Sequence, residues 1–405
     1  MERNIIWLWI CALLIACPVV NGDQETSESS PVGEKLPSLL KMNNDFAFQL
    51  YKKLVEIPNP ESKNIFFSPF SVSMALSELT LGAGGETKQQ LLNGFGYNSS
   101  LFSTEEMHQL FHSILEDLDQ RIGVDVDTGT ALYLSNTLKP NPEFFQKMKE
   151  FYHSEGFVVD FRIRETIEQI NTYVKDKTHG KIDKTVEDLS ADTVMLLLTY
   201  IYFKGKWDLP FTPNKTTEDQ FHVDANTTVP VQMMQQSEFL KIHIDKDLKA
   251  KVISLDYNDS FSMILALPDN SITDLENAVT RQVIEKWRRS LIKRKVDIYL
   301  PKVSLKTSYC LKDILSAMGM TDMFTAEADF AGISKDGMMV SKVTHKACLE
   351  IDEEGTTASA VTTVEFSRMS HQTQDFRFDH PFMIFIVDQK NDNILFFGKV
   401  ANPAE

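Results

Sequence analysis

The sequence predicts an α+β fold. Stretches with helical periodicity and runs of β-branched and aromatic residues are interleaved along 405 residues, without the regular strand–helix alternation of a parallel α/β sheet. With 42% hydrophobic and 24% charged residues, the composition is that of a soluble globular chain, and its length fits one large domain or two to three smaller ones. No internal repeat or low-complexity block interrupts it.

The chain opens with MERNIIWLWICALLIACPVVNGDQ, in which Arg3 precedes an apolar run from Ile5 to Ala16 and a small-residue exit at Asn21–Gly22. The run is too short to span a bilayer and reads as a secretory signal peptide, residues 1–22, cut after Gly22. The polar stretch that follows, DQETSESSPVGEKLP, predicts a flexible tail over 23–40. From Asn44 the pattern turns helical, with Phe46, Ala47, Leu50, Tyr51 and Leu54 on one face and Asn43 or Asn44 as cap. Ser68-Pro69 predicts the start of a second helix, which the glycines of LGAGGET end. Thr104–Leu118 and Ile167–Lys177 also carry helical spacing. Strands are predicted over Thr193–Phe203, Lys251–Leu267, Lys295–Leu300, Lys346–Ile351 and Phe382–Val387.

Residues 1–22 hold one Glu and one Arg, so the mature chain keeps the net charge of −16 and is poorly suited to general nucleic-acid binding. No later segment is apolar enough to cross a membrane. Cys11 and Cys17 leave with the signal, and two remaining cysteines are no disulfide framework. Free thiols at Cys310 and Cys348 and a bridge between them are both open. Four sequons, at Asn98, Asn214, Asn226 and Asn258, agree with secretion.

Signs of catalysis are thin. Asp127-Thr128-Gly129 copies an aspartic-protease signature, but that chemistry needs two carboxylates sharing a proton, and no second copy exists. It reads as an Asp/Gly turn ahead of the strand ALYLS. His108 and His112 lie four apart on a predicted helix with no acid between them, so a solvated face is expected rather than a metal clip. There is no G-x-S-x-G elbow and no phosphate-binding loop. No catalytic residue, metal site or cofactor is expected. A basic cluster of Arg281, Lys286, Arg288, Arg289, Lys293, Arg294 and Lys295 stands out in this acidic chain. On one continuous helix Arg281, Arg288 and Lys295 would share a side.

The most informative stretch is EEGTTASAVTTVEFSRM, from Glu353 to Met369. After two acids and a glycine, Thr356, Ala358, Ala360, Thr362 and Val364 form an alternating set of small or β-branched residues. No proline occurs between Pro301 and Pro381, so nothing bars this segment from a sheet. Yet it runs into the polar FSRMSHQTQD. A segment that suits both an exposed loop and a central strand is a candidate conformational switch.

EEGTTASA resembles the hinge of an inhibitory serpin, and FRFDHPFMIFI (Phe376–Ile386) resembles that family's C-terminal signature. NIFFSPFSVSMALSELTLGAGGET (Asn64–Thr87), YIYFKGKWDLPF (Tyr200–Phe211), ADFAGIS (Ala328–Ser334) and FFGKVANP (Phe396–Pro403) also match, in family order. The likeness is strongest to the secreted alpha-1-antitrypsin and antichymotrypsin group. It implies one serpin domain over 41–405, with a large central sheet, further sheets, about nine helices and a mobile reactive-centre loop near 353–378. It implies a secreted, monomeric protease inhibitor rather than an enzyme, with extracellular serine proteases as covalent partners. Counting from the Gly355 hinge places the reactive bond at Met369–Ser370, and Met369 suits elastase- and chymotrypsin-like pockets. Arg368 offers trypsin-like enzymes an alternative cut at Arg368–Met369. The hinge it implies comprises Glu353, Glu354, Gly355, Thr356, Ala358, Ser359 and Ala360, and from Gly355 onward these lack the proline or bulky charge common in non-inhibitory relatives, which act as carriers of a hormone or other small ligand. The resemblance also implies a sheet-opening cluster of Ser68, Ser71, Thr199 and His345, with Trp207 at the top of the sheet. Threonine at 199 departs from the family's asparagine and offers one hydroxyl in place of an amide. Some serpins of the group bind heparin through the helix matching the basic cluster, which implies a glycosaminoglycan site there. Asn258 falls where such serpins often carry a glycan.

Overall fold

A computed structural model describes residues 33–56, 63–182, 184–257, 260–355 and 373–405. The described helices are α1 (Leu36–Val55), α2 (Pro69–Leu79), α3 (Gly85–Gly94), α4 (Thr104–Asp119), α5 (Pro142–Tyr152), α6 (Arg164–Lys177), α7 (Ile272–Ala278), α8 (Arg281–Ser290) and α9 (Lys312–Ala317). The strands are β1 (Ile65–Phe67), β2 (Val124–Ser135), β3 (Glu155–Val159), β4 (Met195–Gly205), β5 (Thr217–His222), β6 (Thr228–Asp245), β7 (Ala250–Tyr257), β8 (Phe261–Pro268), β9 (Ile292–Pro301), β10 (Val303–Cys310), β11 (Lys342–Ile351), β12 (Gln374–Arg377), β13 (Phe382–Asp388) and β14 (Ile394–Val400).

They build two sheets. Nine strands run in the order β1-β14-β13-β8-β7-β6-β9-β12, with β5 on β6, and five run β10-β11-β4-β2-β3. In the five-stranded sheet β10 with β11 and β4 with β2 are antiparallel, whereas β11 with β4 and β2 with β3 are parallel. Strand alternation divides its side chains between two cores. Leu132, Leu134, Leu197, Ile201 and Val343 join the main core with α2, while Ala131, Tyr133, Leu196, Leu198 and Tyr200 pack on Ile170 and Val174 of α6. Burial on both faces explains why β4 reads as the near-continuous apolar run MLLLTYIYF.

Local signals set several ends. Ser68 caps α2, its hydroxyl accepting from Ser71 N–H, with Pro69 in the first turn. Ser103 and Glu106 form a reciprocal capping box on α4.

The structure departs from the sequence expectations in particular places. Helix α1 starts at Leu36, with Leu39 and Leu40 buried, so ordered structure begins before residue 40. Asn43 and Asn44 lie inside α1 rather than at its cap. Asn43 donates to Asn393 Oδ1 at 2.7 Å and Asn44 to Asp392 O at 2.8 Å, fastening the turn before β14. Gly85 begins α3 directly after the glycine-rich break. The run 251–267 is a hairpin, β7 and β8. Asp127-Thr128-Gly129 lies within β2 rather than in a turn, and Asp127 meets His179 at 2.8 Å on the surface. His108 is not solvated. It is 3% exposed, and its Nδ1 lies 2.5 Å from Tyr152 Oη. Residues 374–377, counted with the loop, form β12 on β9.

Candidate functional site at the seam of the five-stranded sheet

The parallel ladder of β11 and β4, from Lys342–Leu196 to Cys348–Tyr202, is a seam across the sheet. At its middle His345 and Thr199 are direct pair partners, so their side chains share a face. Their parity is that of Val343 and Leu197, which puts both over α2. His345 Nε2 accepts from Ser68 N–H at 3.0 Å, so the ring carries its proton on Nδ1, 2.6 Å from Thr199 Oγ1. Complete burial pushes the His345 pKa down to about 3, which keeps the ring neutral around pH 7. The Tyr309 ring stacks on it at 6.4 Å, and Tyr309 Oη accepts from Phe66 N–H at 3.1 Å. Ser68, Ser71, Thr199 and His345 are thus brought together, joined by Tyr309, which no sequence signal singled out.

Beyond Ile351 the chain leaves β11 and is held at the top of the seam. Trp207 N–H donates to Glu354 O at 3.1 Å and Phe211 N–H to Glu353 O at 2.7 Å. The indole Nε1–H donates to Asp352 O at 2.9 Å, while the ring stacks on Tyr257 at 4.2 Å. Glu353 receives Thr216 Oγ1 and Lys302 Nζ, each at 2.7 Å. Partial burial raises the Glu353 pKa, but these two hydrogen bonds outweigh it and hold the carboxyl below its ordinary value. Gly355 sits at φ +85°, and a Cβ there would come within 2.5 Å of Gly205 O and Trp207 N. Only glycine satisfies both the backbone angle and the close approach. Lys302, Thr216 and Phe211 are the anchors that the sequence did not flag, because nothing local ties them to residues 353–355.

Met369, Ser370, Arg368, Thr356, Ala358, Ser359 and Ala360 lie outside the described residues. The chain resumes at Thr373 and enters β12, paired with β9 of the other sheet. The strands on either side of that stretch, β11 and β12, therefore belong to different sheets.

The basic cluster is not one helix. Helix α8 ends at Ser290, and Lys293, Arg294 and Lys295 lie on β9. Arg281 binds Asp45 and Glu285, Arg288 binds Asp392, and Lys286 reaches Asp245 at 3.3 Å. Arg289, 80% exposed, with Lys293, Arg294 and Lys295 forms the open subset; among the described residues the three on β9 have no carboxylate within 4.0 Å. Asn98, Asn214 and Asn226 are exposed, and Asn258 lies outside the described residues. Cys310 is an exposed free thiol and Cys348 a buried one. Among the described residues no helix is long and apolar enough to cross a membrane, and no group of three or more His, Cys, Asp or Glu is placed to hold a metal.

Residues 41–403 match the profile of the serpin (serine protease inhibitor) family. An alpha-1-antiproteinase of Rattus norvegicus is 38% identical over 411 residues, covering 100% of this chain and 98% of that protein. The alpha-1-antitrypsin of Meriones unguiculatus is 37% identical over 412 residues, covering 100% of each. Among solved structures, human thyroxine-binding globulin complexed with thyroxine superposes with a TM-score of 0.86 at 34% identity, covering 92% of this chain and 100% of that one. Human glycosylated kallistatin gives 0.85 at 36% identity, covering 91% and 99%. With the profile spanning nearly the whole chain and full-length relatives above 30% identity, this protein belongs to the serpin family, in its alpha-1-antitrypsin-like group.

Proposed function

We propose that this serpin is a secreted, monomeric suicide inhibitor of extracellular serine proteases, with a signal peptide over 1–22, one domain over 41–405 and its reactive bond at Met369–Ser370. Elastase- and chymotrypsin-like enzymes are the targets, because an unbranched apolar methionine suits their specificity pockets. The observation that carries the reading is the seam. Strands β11 and β4 are parallel neighbours, and the chain turns at Gly355 just above them. A strand running back from Gly355 between them is antiparallel to both, replacing one slanted parallel ladder with two antiparallel ones. A net gain of roughly ten backbone hydrogen bonds at about 1 kcal/mol each is worth on the order of 10 kcal/mol. The alternating set from Thr356 to Val364 offers small side chains for such a strand. The protease serine attacks the Met369 carbonyl, Ser370 leaves with its new amino terminus, and insertion draws the acyl-enzyme away before water can deacylate it.

Incubation with elastase, chymotrypsin and trypsin, followed by denaturing gels and mass analysis of the released C-terminal fragment, tests this. A covalent complex with a fragment beginning at Ser370 is the expected result. A fragment beginning at Met369 makes Arg368 the specificity residue and trypsin-like enzymes the targets. Cleavage without a complex, together with saturable binding of a small ligand, favours the carrier reading, to which the likeness with thyroxine-binding globulin gives weight. The open basic subset, Arg289 with Lys293, Arg294 and Lys295, is the proposed heparin contact.

A further inference from the structure

Helix α2 carries a buried acid that neither the core nor the seam described above requires. Glu78, 1% exposed, lies ten residues beyond the cap Ser68. Its Oε2 accepts from Ser154 Oγ at 2.8 Å, and its Oε1 has no partner. Among the described residues no Lys, Arg or His nitrogen lies within 4.0 Å of the carboxyl. On β2, Thr130 is 1% exposed and its hydroxyl likewise lacks a partner within hydrogen-bonding distance. Thr130 nonetheless lies near enough to act on the carboxyl, partly offsetting the upward push of burial on its pKa. Glu78 Oε1 and the Thr130 hydroxyl are thus two buried oxygens left without a hydrogen-bond partner.

The positions are not scattered. Thr130 pairs with Thr199, and Thr199 with His345; Ser154 directly precedes Glu155, the partner of Ala131. One polar row therefore crosses the inner face of the sheet from β11 through β4 and β2 to the start of β3. Ten residues of helix extend about 15 Å, and three strand spacings span about 14 Å. Helix α2 thus lies across the sheet with its first turn on His345 and its last turn under Thr130 and Ser154. It is fastened on both sides of the β11–β4 seam.

We propose that Glu78, through its hydrogen bond with Ser154, is a positioning residue that ties the β4–β2–β3 block to α2 and so holds the seam closed. The role rests on the loop-insertion reading given above. Admitting a strand moves the two sides apart by about 4.8 Å, and a 2.8 Å hydrogen bond does not survive that shift. Either the Ser68–His345 end or the Glu78 end of α2 must let go.

The test uses the full chain and two readouts. The first is the rate at which a synthetic peptide of residues 356–366, TTASAVTTVEF, anneals into the sheet, followed as a gain in thermal stability. The second is hydrogen exchange of the β4 and β11 amides without peptide. Glu78→Leu removes the Ser154 hydrogen bond, and opening is expected to quicken by roughly fivefold to tenfold, the equivalent of one buried hydrogen bond. Glu78→Gln keeps an acceptor for Ser154 and stays within about twofold of the parent. A merely structural acid would lower global stability without this selective gain at the seam. Equal seam exchange in the parent, Gln and Leu proteins overturns the proposal. If no variant anneals peptide but Leu still exchanges faster at the seam, the latch stands and the insertion reading fails. Should Glu78→Leu not fold, Ser154→Ala carries the same comparison.

Discussion

Three buried titratable groups make stability pH-dependent in opposing directions. His108 and His345 are each pushed from 6.5 to about 3, chiefly by burial. The unfolded chain binds their protons first, so their contribution is present above the unfolded value and is lost as pH falls toward the folded one. Glu78 is raised from 4.5 to about 8, again chiefly by burial. Here the native state binds the proton more tightly, so the contribution is full below the unfolded value and is lost as pH rises through the folded one. Between about pH 7 and about pH 5 each histidine therefore forfeits about 2 kcal/mol, while Glu78 returns about 2.5 kcal/mol. Together these three groups take only about 1.5 kcal/mol from the parent over this range. In Glu78→Gln the offset is gone, and the loss should exceed the parent's by about 2.5 kcal/mol. Guanidinium unfolding midpoints of both proteins at the two pH values, converted with their measured slopes, make the comparison. An unchanged pH difference in Glu78→Gln would refute the reasoning, since Glu78 would then ionise alike in the folded and unfolded chains.

Further outcomes follow from the seam and its surroundings. Thr199→Asn adds an amide donor beside His345, and should raise the unfolding free energy by about 1 kcal/mol and slow heat-induced polymerisation; unchanged values in both assays count against a weak point at Thr199. Gly355→Ala forces a Cβ onto Gly205 O and Trp207 N, so it should loosen the hinge anchor, seen as a red-shifted Trp207 emission, by at least about 1 kcal/mol. Combined Lys293→Ala, Arg294→Ala and Lys295→Ala should elute from heparin at lower salt than the parent, whereas Arg281→Ala should not, because Asp45 and Glu285 already hold that guanidinium. Oxidising Met369 to its sulfoxide should slow elastase inhibition, read as the rate of complex formation.

The parts legible in sequence are those in which a residue and its partner are close along the chain. Ser68-Pro69 announces α2 because caps are local chemistry, and α4 shows in the helical spacing of Thr104–Leu118. The acidic hinge and its glycine are visible for the same reason. What the sequence misleads on depends on distant contacts. Asn43 and Asn44 look like caps, yet they reach residues 392 to 394 across the core. The seven-residue spacing of Arg281, Arg288 and Lys295 suggests one helix, but pairing of β9 with β6 takes over after Leu291. Asp127 and Gly129 suggest a turn by propensity, while the ladder to β4 extends β2 through them. Lys302 and Thr216 gain their roles only once Glu353 is placed between them.

The attachment of β12, β13 and β14 bears on what remains if the proposed reactive bond is cut. Strand β13 lies between β8 and β14, and β14 between β13 and β1, with Phe382 to Val387 and Ile394 to Val400 wholly buried. Strands β13 and β14 are thus woven between β8 and β1 of the upstream chain, and β12 is paired to β9 at the sheet's edge. A nicked molecule should stay a single particle of two polypeptides, unchanged in size on a native column. The short piece would separate only when the whole architecture is dissolved, so proteolysis here would alter the chain's connectivity without shedding mass.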